Sequence, residues 1–591
     1  YYDDDDYCSE GDHAEVWENS LEDAKDADGR EVPQYSLEDA KDLAKFLRNA
    51  DIRLVRAEYF WKLLDQVRIP PARRQELEVK TENVIKNDDG RTYTKALVSH
   101  DEIDDWAEGR TEALLCSISH SWESMEHADP TGDQCDRVAS ATALYAAAFG
   151  VPVWVFIDFL SIYQFEQTPE QRKKFDLAMD NMHLLYAHES TMTLRLEHLS
   201  PYPHPNGNPS KNSNVVKIWH KASKKVKDVA RDQLKNNDRP YQRRGWCRVE
   251  VQWSSARSES HSNVQIDAHL GSSEEQKRKF KCQVAEHPDQ FQDRTTGEEI
   301  KFNRPKDKPI VLKLQKKVFL QKANEREHLV VENVEAPEIA VLAKSIRYYK
   351  CLKSLTLRHF FCEFDQAMAL CKALADMSQL PLTRLLVLYP EDAESERVLK
   401  EAFRRCKVKE KNPKIDFQTK IKEKEEKEMS MQTEEWRKRS RRPEPTIPAM
   451  LDFLQKDFSS KFFSLDDWMY KSEDDRRAVL KAFQRSVTVK LLWVAYRGHE
   501  WNGTYGSDLL KDLKKLQLGS GSSLMAFVIS ETNIDGSRKV LSRACSEWGS
   551  DQHCTWIGDY FIVSLKGPTE NVDGQGTSME TLFQSLSPLP F

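Results

Sequence analysis

The chain has 591 residues, 39% hydrophobic and 31% charged, with a formal net charge of −8. That length exceeds what one core can serve and predicts three or four domains at roughly 100–200 residues each. The sequence shows no signal-peptide pattern and no apolar run of the roughly 18–20 residues that a membrane span needs, which excludes a spanning segment.

The charge is unevenly placed. Residues 1–42 carry sixteen Asp and Glu against three Lys and Arg, a balance of 3 − 16 = −13. They read as an acidic disordered tail, which argues against a nucleic-acid partner. The heptapeptide SLEDAKD occurs at 20–26 and again at 36–42, each copy a candidate helix start. Two copies do not make a solenoid. The chain opens on Tyr1 rather than Met, as a fragment or processed product would. The 11 cysteines, scattered from Cys8 to Cys554 without a CxxC pair, point to a reducing, cytoplasmic setting. Cys545, His553 and Cys554 supply only one end of a zinc site, and no metal is expected.

Residues 43–110 read as a helical subdomain. Helical spacing over 43–56 and 57–67 puts Leu47, Leu54, Phe60, Leu63 and Leu64 on one stripe, stopped by Pro70 and Pro71. Residues 111–270 then alternate strand with helix. ALLCSIS at 113–119 reads as a buried strand ending in His120-Ser121-Trp122. Asp129 with Pro130 marks the start of a helix reaching Phe149. PVWVFI at 152–157 is a second strand, apolar on both faces, with Asp158 at its end. A helix over 171–187, a third strand over 191–196, a basic helix over 215–234 and a short strand over 263–267 complete the pattern. Such alternation predicts a parallel sheet with ligands beyond the carboxyl ends of its strands.

The stretch YQRRGWCRVEVQ at 241–252 follows as a helix start, dense in arginine. SISHSW at 117–122 resembles the first-strand motif of Toll/interleukin-1 receptor (TIR) domains, and RGWCRVE at 244–250 their WCxxE helix. FIDFLSIYQ at 156–164, MHLLYAHES at 182–190 and the RGW triplet are similar to segments of the fungal heterokaryon-incompatibility (HET) module. The resemblance covers about 113–270 and implies a flavodoxin-like parallel sheet. The basic stretch before Arg244 is an insertion relative to a compact TIR domain.

Residues 271–403 read as a connecting and leucine-rich-repeat-like region. A helix is expected over 274–286 and a half-buried strand from Ile310 through Leu312 and Leu314. Three short strands follow at His328, Cys351 and Pro381, with helices over 337–349 and 365–377 between them. The LxxLxL spacing at Leu352 and Leu382 suits leucine-rich repeats or a plain α/β packing unit. Residues 404–445 read as a charged linker ending in RKRSRR. Residues 446–591 read as a second α/β domain, with strands near 487–496, 523–530 and 556–565 and a weak site hint at Arg497–Trp501. The fold class is thus α/β multidomain.

Two functions are compatible with these residues. One is an intracellular signalling protein that acts through self-association of its TIR/HET-like domain and a repeat-like platform for protein partners; it requires no cofactor. The other is an NAD glycohydrolase. The resemblance implies Glu250 as its catalytic acid, because breaking the nicotinamide–ribose bond builds oxocarbenium charge that a carboxylate stabilises. Trp122 or Trp246 would then stack on a base, and Arg243 or Arg244 would pair with the pyrophosphate. His120 and Asp158 would line the pocket. The plainer readings are a helix-dipole or arginine partner for Glu250, a loop cap for Asp158 and a loop-organising donor for His120. A metabolic enzyme with its site at Arg497–Trp501 is a third possibility.

Overall fold

The computed structural model describes residues 35–65, 71–79, 85–86, 92–93, 440–441, the strands of the last sheet, and 95–419 apart from short gaps and the stretches 201–214 and 268–281. Five strands form the first sheet: β1 (Val55–Arg56), β2 (Leu114–His120), β3 (Val153–Phe156), β4 (Thr191–Leu196) and β5 (Asn263–Gln265). Their order is β1-β3-β2-β4-β5, with β1 antiparallel to β3 and the other neighbours parallel. The four parallel strands therefore run second, first, third, fourth. The winding reverses between β2 and β4, a topological switch point.

Every position of β2 is buried, so the period of two divides it between two cores. Leu114, Cys116 and Ile118 pack with Phe60 of α2 (Ala57–Asp65) and with Val138 and Ala139 of α4 (Asp133–Phe149). Leu115 packs on the other face with Tyr186 of α6 (His183–Ala187) and with Val249 and Trp253 of α7 (Gly245–Ser255). That second core continues into α8 (Asp307–Glu325) through Val318 and Phe319, then into the next sheet. The two α/β units share one core.

The second sheet holds β6 (His328–Glu332), β7 (Ser354–Arg358), β8 (Arg384–Leu388) and β9 (Asp416–Gln418), all parallel and in sequential order. Helices α9 (Ala336–Ser345), α10 (Phe364–Asp376) and α11 (Ala393–Arg405) connect them. Leu352, Leu355, Leu357, Leu382, Leu385 and Val387 are all buried, as their spacing predicts. The third sheet holds β10 (Phe462–Asp466), β11 (Leu491–Tyr496), β12 (Ala526–Glu531), β13 (Cys554–Ile557) and β14 (Tyr560–Ser564) in the order β10-β11-β12-β14-β13. β13 and β14 form an antiparallel hairpin where the sequence predicts one strand. The site hint at Arg497–Trp501 lies outside the described residues, as do Cys545 and His553.

Several expectations need correction. The basic helix over 215–234 is instead a β-hairpin, Val215–His220 against Lys225–Ala230. Val216 and Ile218 are buried while Val215 and Lys217 are exposed, an alternation that outweighs the charge count. The strand expected from Ile310 is the helix α8, whose buried positions Val311, Leu314, Gln315, Val318, Phe319 and Lys322 recur every three or four residues. Three alternating residues were too short a pattern. The helix over 171–187 is two helices, α5 (Pro169–Asp180) and α6, broken at Asn181. α4 starts at Asp133 rather than at Pro130, although Asp129 Oδ2 still accepts the Cys135 N–H at 2.9 Å. Residues 282–286, the described end of the helix expected over 274–286, carry no helix. The linker predicted from residue 404 contains β9. The tail predicted to residue 42 ends sooner: Asp39 caps α1 (Ala40–Asn49), and Leu37 is fully buried.

A buried ion cluster joins the two units. The Glu189 carboxylate, just before β4, is inaccessible to solvent and lies 2.6 Å from Lys322 Nζ of α8 and 3.4 Å from Arg326. It also accepts the Ser258 N–H at 3.0 Å. Burial alone would raise its pKa, but the Lys322 and Arg326 charges pull it down to about 2. Lys322→Met leaves that carboxylate buried with fewer donors and is expected to cost about 3–5 kcal/mol in denaturant unfolding. The exposed Arg397→Ala should leave the midpoint unchanged. Because the folded pKa lies below the ordinary 4.5, the stabilisation is present above pH 4.5 and is lost as pH falls toward 2.

Candidate functional site

The site forms at the carboxyl ends of β2 and β3, beside the switch point. Successive side chains of β2 face opposite ways. Ser117 and Ser119 turn toward α6 and α7, where Ser117 Oγ meets the Leu185 carbonyl at 2.5 Å and Ser119 Oγ meets Glu250 Oε2 at 2.6 Å. His120 turns toward α4, its Nδ1 lying 2.7 Å from Gln134 Oε1.

Asp158 begins a single helical turn after β3. Its Oδ1 lies 2.9 Å from His120 Nε2 and accepts the Phe159 N–H at 2.6 Å. Its Oδ2 accepts the indole N–H of Trp122 at 2.9 Å. The Asp158 side chain nevertheless keeps 34% of its surface open, against 3% for His120. The carboxylate thus lies deep in the fold but open on one side.

Glu250 arrives from α7 and is also partly accessible. Tyr241 and Ser119 form a chain to it, with the Tyr241 hydroxyl 2.5 Å from Ser119 Oγ. The Tyr186 hydroxyl donates to the Ile118 carbonyl at 3.1 Å and helps to restrain the upward shift of Glu250. Cys247, one turn earlier, is a buried thiol 3.4 Å from the His120 carbonyl, with its pKa raised by burial. It is a core residue.

The two carboxyl groups are driven apart. Burial pushes Glu250 up to about 8; the Asp158 charge adds to that, and the Ser119 hydrogen bond only partly offsets it. Burial also tends to raise Asp158, but the His120 charge and the His120 and Trp122 hydrogen bonds hold it below the ordinary range. At neutral pH one carboxyl is mostly protonated while its neighbour is ionised, an arrangement that suits acid–base or charge-stabilising chemistry.

Glu250, Asp158, His120 and Trp122 therefore come together. The remaining predicted residues do not join them. Arg244 spends its guanidinium on backbone carbonyls, those of Arg239 at 2.8 Å, Trp122 at 3.1 Å and Asn237 at 3.4 Å, so it organises the loop and is not free for a pyrophosphate. Trp246 donates its indole N–H to Asp307 at 3.0 Å and packs edge-on to Trp253 in the shared core. The Arg243 side chain is exposed. Gly245 of the RGW triplet is required by close approach, since a Cβ there would stand 2.2 Å from the Phe302 ring. Sequence reasoning missed Ser119, Gln134, Tyr186 and Tyr241. Ser119 was findable from the period of two, which puts it on the face opposite His120.

Among the described residues no three His, Cys, Asp or Glu side chains converge as a metal site. None of their helices is long and apolar enough to cross a membrane. Comparison with family models, curated proteins and solved structures gave no match.

Glu250→Gln replaces a group that folding holds protonated. The folded pKa of about 8 lies above the ordinary 4.5, so the native carboxyl favours folding below pH 4.5 and loses that contribution as pH rises through 8. The variant should match the native chain near pH 5 and exceed it by about 1–3 kcal/mol at pH 9 in denaturant unfolding.

Proposed function

We propose that residues 111–270 form a TIR/HET-like domain that hydrolyses the N-glycosidic bond of NAD or a closely related nucleotide. Glu250 carries the chemistry in this reading. The observation that favours it is the direction of Glu250: it faces Ser119 and the Asp158–His120–Trp122 group. Arg248 is occupied elsewhere, by Gln242 at 3.0 Å and Glu286 at 3.3 Å. The strand order second, first, third, fourth also supports a flavodoxin-like sheet, a fold in which ligands bind at the carboxyl ends of the strands beside the switch point.

In the proposed reaction the nicotinamide–ribose bond breaks, positive charge builds on the sugar, and water adds to it. Ionised Asp158 and the ionised fraction of Glu250 stabilise that charge, while Trp122 offers an aromatic face beside it. Arg243 is the exposed candidate for the pyrophosphate. NAD enters as substrate and no resident cofactor is invoked. Nicotinamide release from NAD by the full chain should rise with pH through about 8 as Glu250 ionises. Glu250→Gln should lower kcat/KM by about 100- to 1,000-fold. An equal rate in native chain and variant would refute the assignment.

A second reading, cytoplasmic signalling by self-association, has its own support. Met125 and Phe165, 49% and 51% exposed, project from the loops after β2 and β3. In this reading they form the self-association surface, and the sequential β6–β9 sheet is a leucine-rich-repeat-like platform for protein partners. Sedimentation velocity should show concentration-dependent assembly of the chain, and Phe165→Ser combined with Met125→Ser should abolish it.

A further inference from the structure

The orientation of the Gln134 amide is fixed by its surroundings. Its Nε2 lies 2.9 Å from the Ser121 carbonyl and 3.1 Å from Glu123 Oε1, so the amide nitrogen must face those acceptors. The atom 2.7 Å from His120 Nδ1 is therefore the amide oxygen, which only accepts. Nδ1 must carry a proton. The other ring nitrogen, Nε2, faces Asp158 Oδ1 at 2.9 Å. Both oxygens of that carboxylate already accept N–H groups, from Phe159 at 2.6 Å and Trp122 at 2.9 Å. This pattern suits an ionised Asp158, so Nε2 carries a proton as well.

We infer that Gln134 is a positioning residue that, together with Asp158, holds His120 as a buried imidazolium, so that the site contains a permanent cation–anion pair. A neutral imidazole has one N–H and would leave either Gln134 or Asp158 facing a lone pair. The titratable groups around the ring agree. Asp158 faces it from the turn after β3 and Glu250 from α7, while Glu123 lies beyond Gln134. Burial by itself would depress the ring, yet Asp158, the Gln134 hydrogen bond and Glu250 outweigh it and raise its pKa.

The inference assigns proton transfer within the site. A ring that is already doubly protonated and sealed from solvent cannot act as a general base. Asp158 stays ionised because its proton sits on His120. That leaves Glu250, with Glu123 behind Gln134, to exchange protons near neutrality, and the catalytic use of Glu250 rests on the glycohydrolase reading. The protonation of His120 does not.

NMR of the full chain labelled with 13C at histidine Cε1 tests this, with His120→Gln assigning the signal. His120 should be doubly protonated at pH 7.5. Gln134→Leu removes the acceptor and should lower the titration midpoint by about one unit, a tenfold loss of proton affinity. Gln134→Glu restores an acceptor and should keep the imidazolium. Gln134→Met, closer in shape, replaces Gln134→Leu if that variant does not fold. A neutral His120 at pH 7.5 in the unaltered chain overturns the inference, as does a midpoint unmoved when the acceptor is lost. The measurement needs no turnover, so an absence of nicotinamide release would defeat the glycohydrolase reading and leave the ion pair standing.

Discussion

Helix α7 has to satisfy two environments at once, and the rest of the structure is arranged around that constraint. Val249 and Trp253 belong to the core shared with α8 and the second sheet. Cys247 and Val251 pack with Tyr241 in a small separate cluster. Glu250 meets Ser119 of β2. A helix apolar on most sides is a buried one, and a carboxyl on such a helix can be kept only where hydroxyl groups receive it. Ser119 does so, with Tyr241 behind it. The Gly245–Phe302 contact then sets how closely the start of α7 approaches the segment leading to α8.

The arginines around Glu250 illustrate why proximity in sequence misleads. Arg248 stands two residues before Glu250, a spacing that puts the two on different sides of a helix. It points to Glu286, while Arg244 turns back on the loop carbonyls. Neither neutralises Glu250. A charge-rich stretch thus contains a carboxyl without a guanidinium partner, and desolvation accordingly governs its titration.

What was legible in the sequence followed periodicity over adequate length. β2, β3, β4 and the leucine strands β6 to β8 were readable because short apolar runs, rich in leucine or in β-branched and aromatic residues, lay between helical stretches. So was the meeting of His120, Asp158 and Glu250, since His120 and Asp158 stand at strand ends that a parallel sheet brings to one edge and Glu250 lies on the helix that the RGW triplet opens. Short patterns failed: three alternating apolar residues at Ile310 suggested a strand inside a helix of nineteen residues. The count of lysines over 215–234 hid an alternation that made a hairpin. Side-chain direction was not legible at all for Arg244 and Trp246, because their partners, the Asn237 carbonyl and Asp307, come from loop and helix geometry that local spacing does not encode.

The electrostatics of the site and the joining of the two units follow one rule. Glu189 is more completely enclosed than Asp158, yet both have lowered pKa values because each has a cation in contact, Lys322 in one case and His120 in the other. Glu250 has no cation in hydrogen-bonding contact and moves the opposite way. A buried carboxyl takes its protonation state from its nearest donor, and whether that donor brings a full charge decides the direction. The same α8 that supplies Lys322 also packs against α7 in the shared core, where Trp246 donates to Asp307. Glu250 is therefore held in register by contacts that α7 makes about one turn to either side of it, through Trp246 and Trp253. Loosening the Glu189 cluster would free α8, and with it α7, to shift relative to β2. Glu250 would then lose Ser119 before the sheet lost a strand, because its place depends on one hydroxyl while β2 is held by a full ladder on both edges.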